Sequence, residues 1–299
     1  MFVRDVLCRF GDKIALDGVD LAIAPGEIRA LLGPNGAGKT TFIRILCGLT
    51  KPEQGTVATT GRVGFVPSGD RSFYLRISCL ENLIFFARLH GMRLRQARGR
   101  AREVLDAVGL ADVANRPVGR CSHGMHKRLS VARALLISPE VLLVDEATHD
   151  LDPDGARRIR DLVRRLADDG TAVLWTTQRV DEVQGFADSV TLLLEGAVIF
   201  TGSPAELAAR APSDRYVIQV RTDEGGRPPS LAAVQLAVGP GTPIMPTNDA
   251  GYFVVAPRDP HGLGVAVARL VNGGFHITTC RQAQSEIEEA FLVLTGAAA

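Results

Sequence analysis

Residues 33–41 read GPNGAGKTT, and this nonapeptide restricts the local fold more than any other part of the chain. It matches the pattern G-x-x-x-x-G-K-[ST], follows the apolar run at residues 28–32 and precedes a helix-like stretch at 41–46. A strand, this loop and a helix in that order form the setting in which the pattern binds phosphate. The glycines let successive backbone N–H groups turn inward, and the helix adds the positive end of its dipole. The sequence therefore predicts a P-loop within an α/β core.

Two side chains of this loop suit nucleotide chemistry. Lys39 supplies a point charge for the β- and γ-phosphates, and the hydroxyl of Thr40 is placed to ligate Mg²⁺. A glycine-rich turn with a chance lysine and threonine is the alternative reading of the nonapeptide alone. The predicted nucleotide-binding residues of the loop are Gly33, Pro34, Asn35, Gly36, Ala37, Gly38, Lys39, Thr40 and Thr41.

Composition narrows the class of protein and of partner. With 299 residues, 46% hydrophobic and 22% charged, the chain can form one large domain or two smaller ones. The net charge of +1 offers no field to attract nucleic acid, so none is expected as a partner. No apolar run approaches the roughly 20 residues of a membrane span, and no signal peptide is recognised, so we expect a cytoplasmic protein. The five cysteines are scattered and indicate reduced thiols.

The order of periodic segments predicts two domains. Strand-like segments and the P-loop come first, and a helical insertion follows from about residue 79 to 109. Strand character returns near residues 141, 172 and 190, separated by a helix, which predicts a largely parallel buried sheet. Past about residue 210 the pattern predicts a small α+β module, with strands at residues 216–220 and 252–255 and a helix at 263–271. Its last helix is predicted at residues 287–294, opened by a capping box of Ser285 and Glu288.

A second motif places two carboxylates at the end of a buried strand. Residues 141–144 are all apolar, and Asp145 and Glu146 follow directly. An unpaired buried charge is unfavourable, so these carboxylates should meet cations or water. Beside a P-loop, Asp145 is expected to hold the Mg²⁺ shell, and Glu146 is the candidate general base for water attack.

The order of these motifs resembles that of the ATP-binding subunits of ABC transporters. Residues 122–125 read SHGM, lead into an amphipathic stretch and precede the two carboxylates. The resemblance covers about residues 3–207, and the tail resembles the accessory domain of ATPases paired with drug, polysaccharide or lipid exporters. It implies a P-loop ABC ATPase fold with a parallel core sheet, an N-terminal antiparallel β part and a helical insertion. It places an ATP-binding domain at 1–210, a helical subdomain at about 72–137 and an α+β domain at 211–299.

Further site residues follow from this resemblance. Phe10 corresponds to the aromatic residue that stacks on adenine. Ser122, His123 and Gly124 correspond to the signature motif, which contacts ATP held by an opposite subunit, although Ser122 also suits an ordinary helix N-cap. Asp152 corresponds to the D-loop. The implied cofactors are ATP and Mg²⁺. The implied partners are a second ATP-binding subunit and a membrane permease, which would hold the protein on the inner face of the cell membrane.

Two positions depart from the family pattern. Ser68 stands where the family has a glutamine that touches Mg²⁺, and a serine hydroxyl can ligate the ion but reaches less far. Gln178 stands where the family has a histidine that contacts the γ-phosphate; it can donate a hydrogen bond but cannot become cationic. We therefore expect slow hydrolysis. A hydrolysis-impaired subunit beside a catalytic partner remains open, as does a soluble ABC regulator without a permease, although such regulators usually carry two ATPase domains or a coiled-coil insertion.

Overall fold

The computed structural model describes residues 1–69, 72–148, 151–210, 216–222, 228–239, 242–247, 249–256, 262–282 and 286–295. The chain divides into two compact units, Met1–Pro204 and Ala205–Ala299. Sequence reasoning places the domain boundary six residues later, between 210 and 211. Of the helices within the described residues, none is long and apolar enough to cross a membrane.

The first unit is built from strands and helices that alternate after an initial hairpin. Its strands are β1 (Phe2–Phe10), β2 (Lys13–Ala22), β3 (Ile28–Leu32), β4 (Gln54–Ala58), β5 (Val63–Val66), β6 (Val141–Asp145), β7 (Ala172–Thr177), β8 (Ser189–Leu194) and β9 (Ala197–Gly202). Its helices are α1 (Lys39–Leu46), α2 (Cys79–Leu89), α3 (Leu94–Ala107), α4 (His123–Leu135) and α5 (Pro153–Asp168).

Two sheets organise this unit. A three-stranded antiparallel sheet has the order β2-β1-β4, and a six-stranded sheet has the order β5-β6-β7-β3-β8-β9. Strands β5, β6, β7, β3 and β8 run parallel, whereas β9 pairs antiparallel with β8. The predicted fold class is therefore confirmed, including the antiparallel N-terminal part and the helical insertion formed by α2, α3 and α4.

The inner strands β6, β7, β3 and β8 of the six-stranded sheet are largely buried on both faces, which explains why they are mostly apolar. The edge strand β9 has one buried residue, Phe200. Along β6, Leu142 and Val144 pack with the helical insertion and α5, while Val141 and Leu143 pack with α1 and the antiparallel sheet. Every residue of β6, including Asp145, is buried. A parallel sheet covered on both faces brings the carboxyl ends of its strands to one edge, and the P-loop follows β3 at that edge.

The second unit is an α+β fold with a defined topology. It contains β10 (Tyr216–Thr222), α7 (Leu231–Val238), β11 (Ile244–Pro246), β12 (Tyr252–Val255), α8 (Gly262–Asn272), β13 (Phe275–Gln282) and α9 (Glu286–Thr295), while the short α6 (Pro204–Ala208) spans the boundary. The antiparallel sheet has the order β11-β12-β10-β13. This order and the βαββαβ sequence of elements define a ferredoxin-like arrangement. Ser285 of the predicted capping box lies outside the described residues.

Candidate functional site

The loop between β3 and α1 has a backbone that requires glycine at particular points. Gly38 directly precedes α1 with φ of 107°, and a Cβ there would lie 2.5 Å from the carbonyl oxygen of Ala15. A Cβ on Gly33 would lie 2.3 Å from the carbonyl oxygen of Leu193. Gly36 has φ of 83° with open space around it. The loop is therefore shaped by close backbone contacts at its two ends and leaves its middle open, as a phosphate cradle requires.

Lys39 folds back over this loop. Its side chain is only 5% exposed, and Nζ donates to the carbonyl oxygens of Gly33 at 2.8 Å and Pro34 at 3.1 Å. The same Nζ lies 3.7 Å from Oε1 of Glu146. Burial lowers the pKa of Lys39 below its ordinary value, while the carboxylates of Glu146 and Asp145 act in the opposite direction. The cation is thus held at the centre of the loop.

Asp145 is fixed from two sides at the end of β6. Thr40 Oγ1 donates to Asp145 Oδ2 at 3.4 Å, and Thr176 Oγ1 donates to Asp145 Oδ1 at 2.8 Å. Hydroxyl and carboxylate oxygens are the ligand types that Mg²⁺ prefers. Thr40 and Asp145 therefore offer adjacent oxygens that fit this ion.

Glu146 has an uncommon backbone conformation. Its φ is 47°, in the left-handed region, and its N–H donates to the carbonyl oxygen and to Oγ1 of Thr176, both at 3.2 Å. A non-glycine residue in this region is strained by about 1–3 kcal/mol and persists where the surroundings hold it. The side chain of Glu146 is 23% exposed and lines the cavity described next.

The P-loop, Lys39, Thr40 and Glu146 contribute to the lining of one cavity of about 320 Å³. Its lining residues are Phe10, Lys13, Ala15, Asn35, Gly36, Gly38, Lys39, Thr40, Thr41 and Glu146. Phe10 is 55% exposed at the end of β1, so its ring is accessible to a ligand in the cavity. Asp145 is not part of this lining but contacts it through Thr40. The other predicted P-loop and neighbouring site residues outside the lining are Gly33, Pro34, Ala37, Ser68 and Gln178. Ser68 is exposed after β5 and its carbonyl oxygen accepts from Lys127 Nζ, whereas Gln178 is half-buried after β7.

A second cavity, of about 490 Å³, brings together the predicted signature and D-loop residues. It is lined by Ser122, His123, Gly124, Arg128, Leu151, Asp152, Asp154, Gly155 and Arg158. Ser122 caps α4 by accepting from the N–H of Met125 at 3.3 Å, and Asp152 caps α5 by accepting from the N–H of Gly155 at 2.7 Å. Among the described residues, no residue lines both this cavity and the P-loop cavity.

Sequence reasoning missed a group of polar side chains at the carboxyl ends of β6 and β7. Thr176 holds both Asp145 and Glu146, as described above. Glu182 is 3% exposed and accepts from Thr148 Oγ1 at 2.7 Å and Thr177 Oγ1 at 2.8 Å. The available signal was the pair of threonines that ends an otherwise apolar strand, since such residues lie at the edge where parallel strands end.

Comparisons with known proteins agree with this geometry. Residues 16–149 match the family model described as ABC transporter. The chain is 37% identical over 302 residues to the daunorubicin resistance ATP-binding protein DrrA3 of Streptomyces coeruleorubidus, covering 96% of this chain and 93% of the relative. It is also 37% identical over 219 residues to the Nod factor export ATP-binding protein I of Burkholderia lata, covering 68% of this chain and 71% of the relative.

Solved structures show the same fold. A dimeric ATP-binding cassette in a post-hydrolysis state with ADP and phosphate is 26% identical, with a TM-score of 0.62 over 68% of this chain and 97% of that chain. The cbiO1 protein of Clostridium perfringens, part of the transporter complex cbiONQ, is 28% identical, with a TM-score of 0.63 over 70% of this chain and 90% of that chain.

The fold and the P-loop cavity define an ATP-binding cassette ATPase. With the similarity along nearly its whole length, the chain belongs to the ABC transporter family of ATP-binding proteins. Members of this family bind and hydrolyse ATP, form dimers and work with membrane permeases.

Proposed function

We propose that this chain energises export of a drug-like organic molecule by a separate membrane permease. The observation that carries the proposal is the presence of two distinct half-sites on one chain, the P-loop cavity and the cavity of Ser122 and Asp152. In a dimer, the second cavity of one subunit would complete the P-loop cavity of the other around ATP. Binding of ATP would then close the dimer, and hydrolysis would reopen it.

The P-loop half-site would supply most of the contacts to nucleotide. The ring of Phe10 is accessible at the rim of the cavity and suits stacking on adenine. Lys39 and the inward N–H groups of the loop suit the phosphates. Thr40 and Asp145 would hold Mg²⁺, which neutralises phosphate charge when bound. Ser68 is exposed beyond the cavity lining and would take part in the metal shell only at the edge of the site.

Glu146 is the proposed general base. Its strained backbone and its two hydrogen bonds to Thr176 aim the carboxylate from the end of β6 into the cavity. There it can orient a water molecule and accept its proton. Gln178 would donate a hydrogen bond to the γ-phosphate without carrying charge, so turnover should be slower than with histidine at this position.

The export branch is supported by the relatives. DrrA3, named for daunorubicin resistance, aligns over 96% of this chain and therefore includes the second unit, whereas the Nod factor export protein aligns over 68%. We therefore favour the drug export type over the lipid or polysaccharide type. The protein would lie at the cytoplasmic face of the membrane, attached through its permease and paired with an identical or a related ATP-binding subunit.

Turnover of Mg-ATP by the purified chain tests this proposal, with Glu146→Gln as the background and Gln178→His beside it. We expect turnover above the background, because removal of a general base lowers rates by about 10²–10⁴-fold. Gln178→His should raise turnover by roughly tenfold or more, since a charged hydrogen bond adds about 1.5–3 kcal/mol. Turnover equal to that of Glu146→Gln, with ATP binding intact, would refute the catalytic roles and indicate a subunit that depends on a catalytic partner.

A further inference from the structure

Two cysteines of the helical insertion have sulfur atoms in contact. Sγ of Cys79 and Sγ of Cys121 lie 3.6 Å apart. Cys79 is fully buried as the first residue of α2, and Cys121 is partly exposed immediately before Ser122. Neither thiol has a part in nucleotide binding or hydrolysis as proposed above. The other cysteines are scattered along the sequence, whereas these two thiols are in contact and can react with each other.

The backbone holds these two thiols together. Ser78 and Pro117 form an antiparallel bridge, the N–H of Cys79 donates to the carbonyl oxygen of Arg116 at 3.1 Å, and the N–H of Val118 donates to that of Ile77 at 3.0 Å. The segments before α2 and before α4 therefore run side by side. A disulfide has an S–S length of about 2.05 Å, so the two sulfurs need to approach by about 1.5 Å.

We propose that Cys79 and Cys121 form a reversible disulfide when the protein meets a hydroperoxide, and that this bond lowers ATP turnover. The effect on turnover rests on the function proposed for Ser122; formation of the bond does not. Intracellular disulfides of this kind are usually transient and redox-sensing.

The two thiols would react one after the other, and their exposure to solvent decides which one reacts first. Cys121 is the more exposed of the two residues. Its sulfur attacks a peroxide oxygen and becomes a sulfenic acid; the O–O bond breaks, and water leaves when the peroxide is hydrogen peroxide, or an alcohol when it is an organic hydroperoxide. The sulfur of Cys79 then attacks the sulfur of Cys121, the S–O bond breaks, and the sulfenic oxygen leaves as water. In total, two thiols are oxidised to one disulfide and one hydroperoxide is reduced. Burial, together with the neighbouring thiol, raises the pKa of Cys79 to about 12, which suits its place as the second rather than the first thiol to react.

The bond would act on Ser122 through a short rigid path. The N–H of Cys121 donates to the carbonyl oxygen of Val118 at 2.9 Å, and Ser122 begins α4 with its hydroxyl bonded to the N–H of Met125. A displacement of Cys121 towards Cys79 therefore moves the cap that presents Ser122. Because a misplacement of about 1 Å in an active site can lower rates about 100-fold, we expect turnover to fall at least roughly tenfold.

The test treats the full chain with hydrogen peroxide, blocks remaining thiols by alkylation and digests with trypsin without reduction. Trypsin separates the two cysteines into peptides 77–88 and 121–127, so a linked pair of these peptides identifies the bond. ATP turnover is measured before treatment, after treatment and after dithiothreitol. Cys79→Ala is the test variant, and Cys280→Ala, which removes an exposed thiol of the second unit, is the matched control.

We expect the linked peptides and a loss of turnover that dithiothreitol reverses. Cys79→Ala should resist this loss, and Cys280→Ala should be as sensitive as the wild type. Absence of the linked peptides in the wild-type chain overturns it, as does a linked chain with unchanged turnover or a loss that persists in Cys79→Ala. If Cys79→Ala does not fold, Cys121→Ala serves as the variant that must lack the linked peptides. If the reduced wild type shows no turnover above Glu146→Gln, the hydrolytic function fails, and the linked peptides alone decide whether the bond forms.

Discussion

Replacing Glu182 by alanine should destabilise the first unit strongly, because several buried donors share this one acceptor. The carboxylate accepts from Thr148 Oγ1 at 2.7 Å, Thr177 Oγ1 at 2.8 Å and Trp175 Nε1 at 3.4 Å. Nε of Arg179 lies 3.7 Å from the same carboxylate. These contacts tie the segment after β6 to the segment after β7, so their loss loosens the edge of the sheet that carries Glu146.

The expected loss of stability follows from the hydrogen-bond donors that Glu182→Ala leaves without an acceptor. Each buried donor left without an acceptor is unfavourable by about 1–3 kcal/mol, and three donors lose their acceptor here. The two threonine hydroxyls can rotate, which puts the sum near the lower end of its range. The Arg179 side chain is 50% exposed and also pairs with Asp181, so its loss of Glu182 adds little. We therefore expect Glu182→Ala to lower the free energy of unfolding by about 3–5 kcal/mol, a large part of the roughly 5–15 kcal/mol typical of a folded domain. Glu182→Gln keeps one carbonyl acceptor and should lower it by about 1–3 kcal/mol.

The single tryptophan of the chain provides the assay. Trp175 is fully buried in β7, so its fluorescence during guanidinium chloride unfolding reports on the first unit alone. Asp181→Ala is the matched control, because Asp181 is the adjacent residue and its side chain is 65% exposed in its pair with Arg179. An exposed pair of this kind contributes about 0–1 kcal/mol.

A small difference between these two variants would refute the reasoning. If the free energies of unfolding of Glu182→Ala and Asp181→Ala differ by less than about 1 kcal/mol, the buried carboxylate does not hold the sheet edge as argued. A loss of stability in Glu182→Ala with unchanged ATP turnover per folded molecule would limit the role of Glu182 to folding.

Two further predictions concern the P-loop cavity. Phe10→Ala should raise the Kd for ATP, measured by calorimetry, by roughly 2- to 13-fold, because stacking contributes about 0.5–1.5 kcal/mol. Phe2 is an exposed phenylalanine at the start of the same strand, so Phe2→Ala is the control and should leave this Kd unchanged. Gly38→Ala should abolish ATP binding, because the added Cβ would lie 2.5 Å from the carbonyl oxygen of Ala15. Gly11 also has a positive φ, 61°, but open space surrounds the position of its Cβ, so Gly11→Ala should bind ATP normally.

Sequence alone predicts the parts of the site that are contiguous along the chain. The P-loop between β3 and α1 is one motif, and Asp145 and Glu146 are recognisable because charges end an apolar strand. Thr176 could not be assigned in this way, because its role depends on the register that pairs Asp145 with Thr176 across β6 and β7. In the sequence, Glu182 is one of several acidic residues in a polar segment, and its burial is visible only in the tertiary structure.

The second unit shows a different limit. Strands β10 and β12 and helix α8 follow clear periodic patterns, and the sequence predicts them. Helix α7 was missed because its mostly apolar residues lack a polar face that would mark a helix. Strand β13 reads FHITTCRQ and is interrupted by a bulge against β10 between Gln219 and Val220, so its alternation is broken. The three-residue strand β11 was missed as well. The ferredoxin-like order of strands depends on β11 and β13 and was therefore not predicted from the sequence.

The two departures from the family pattern flank the proposed general base. Strands β5, β6 and β7 are consecutive in the sheet, and Ser68, Glu146 and Gln178 follow their carboxyl ends in the same order. Hydrogen bonds hold the backbone at both positions. Lys127 Nζ donates to the carbonyl oxygen of Ser68. The N–H of Arg179 donates to Thr177 Oγ1 at 2.9 Å, which closes the turn around Gln178. Because these bonds use backbone atoms of 68 and 179 and the side chain of 177, neither depends on the side chains that differ from the family. We therefore expect the two departures to affect the rate of hydrolysis while the fold that positions Glu146 stays intact.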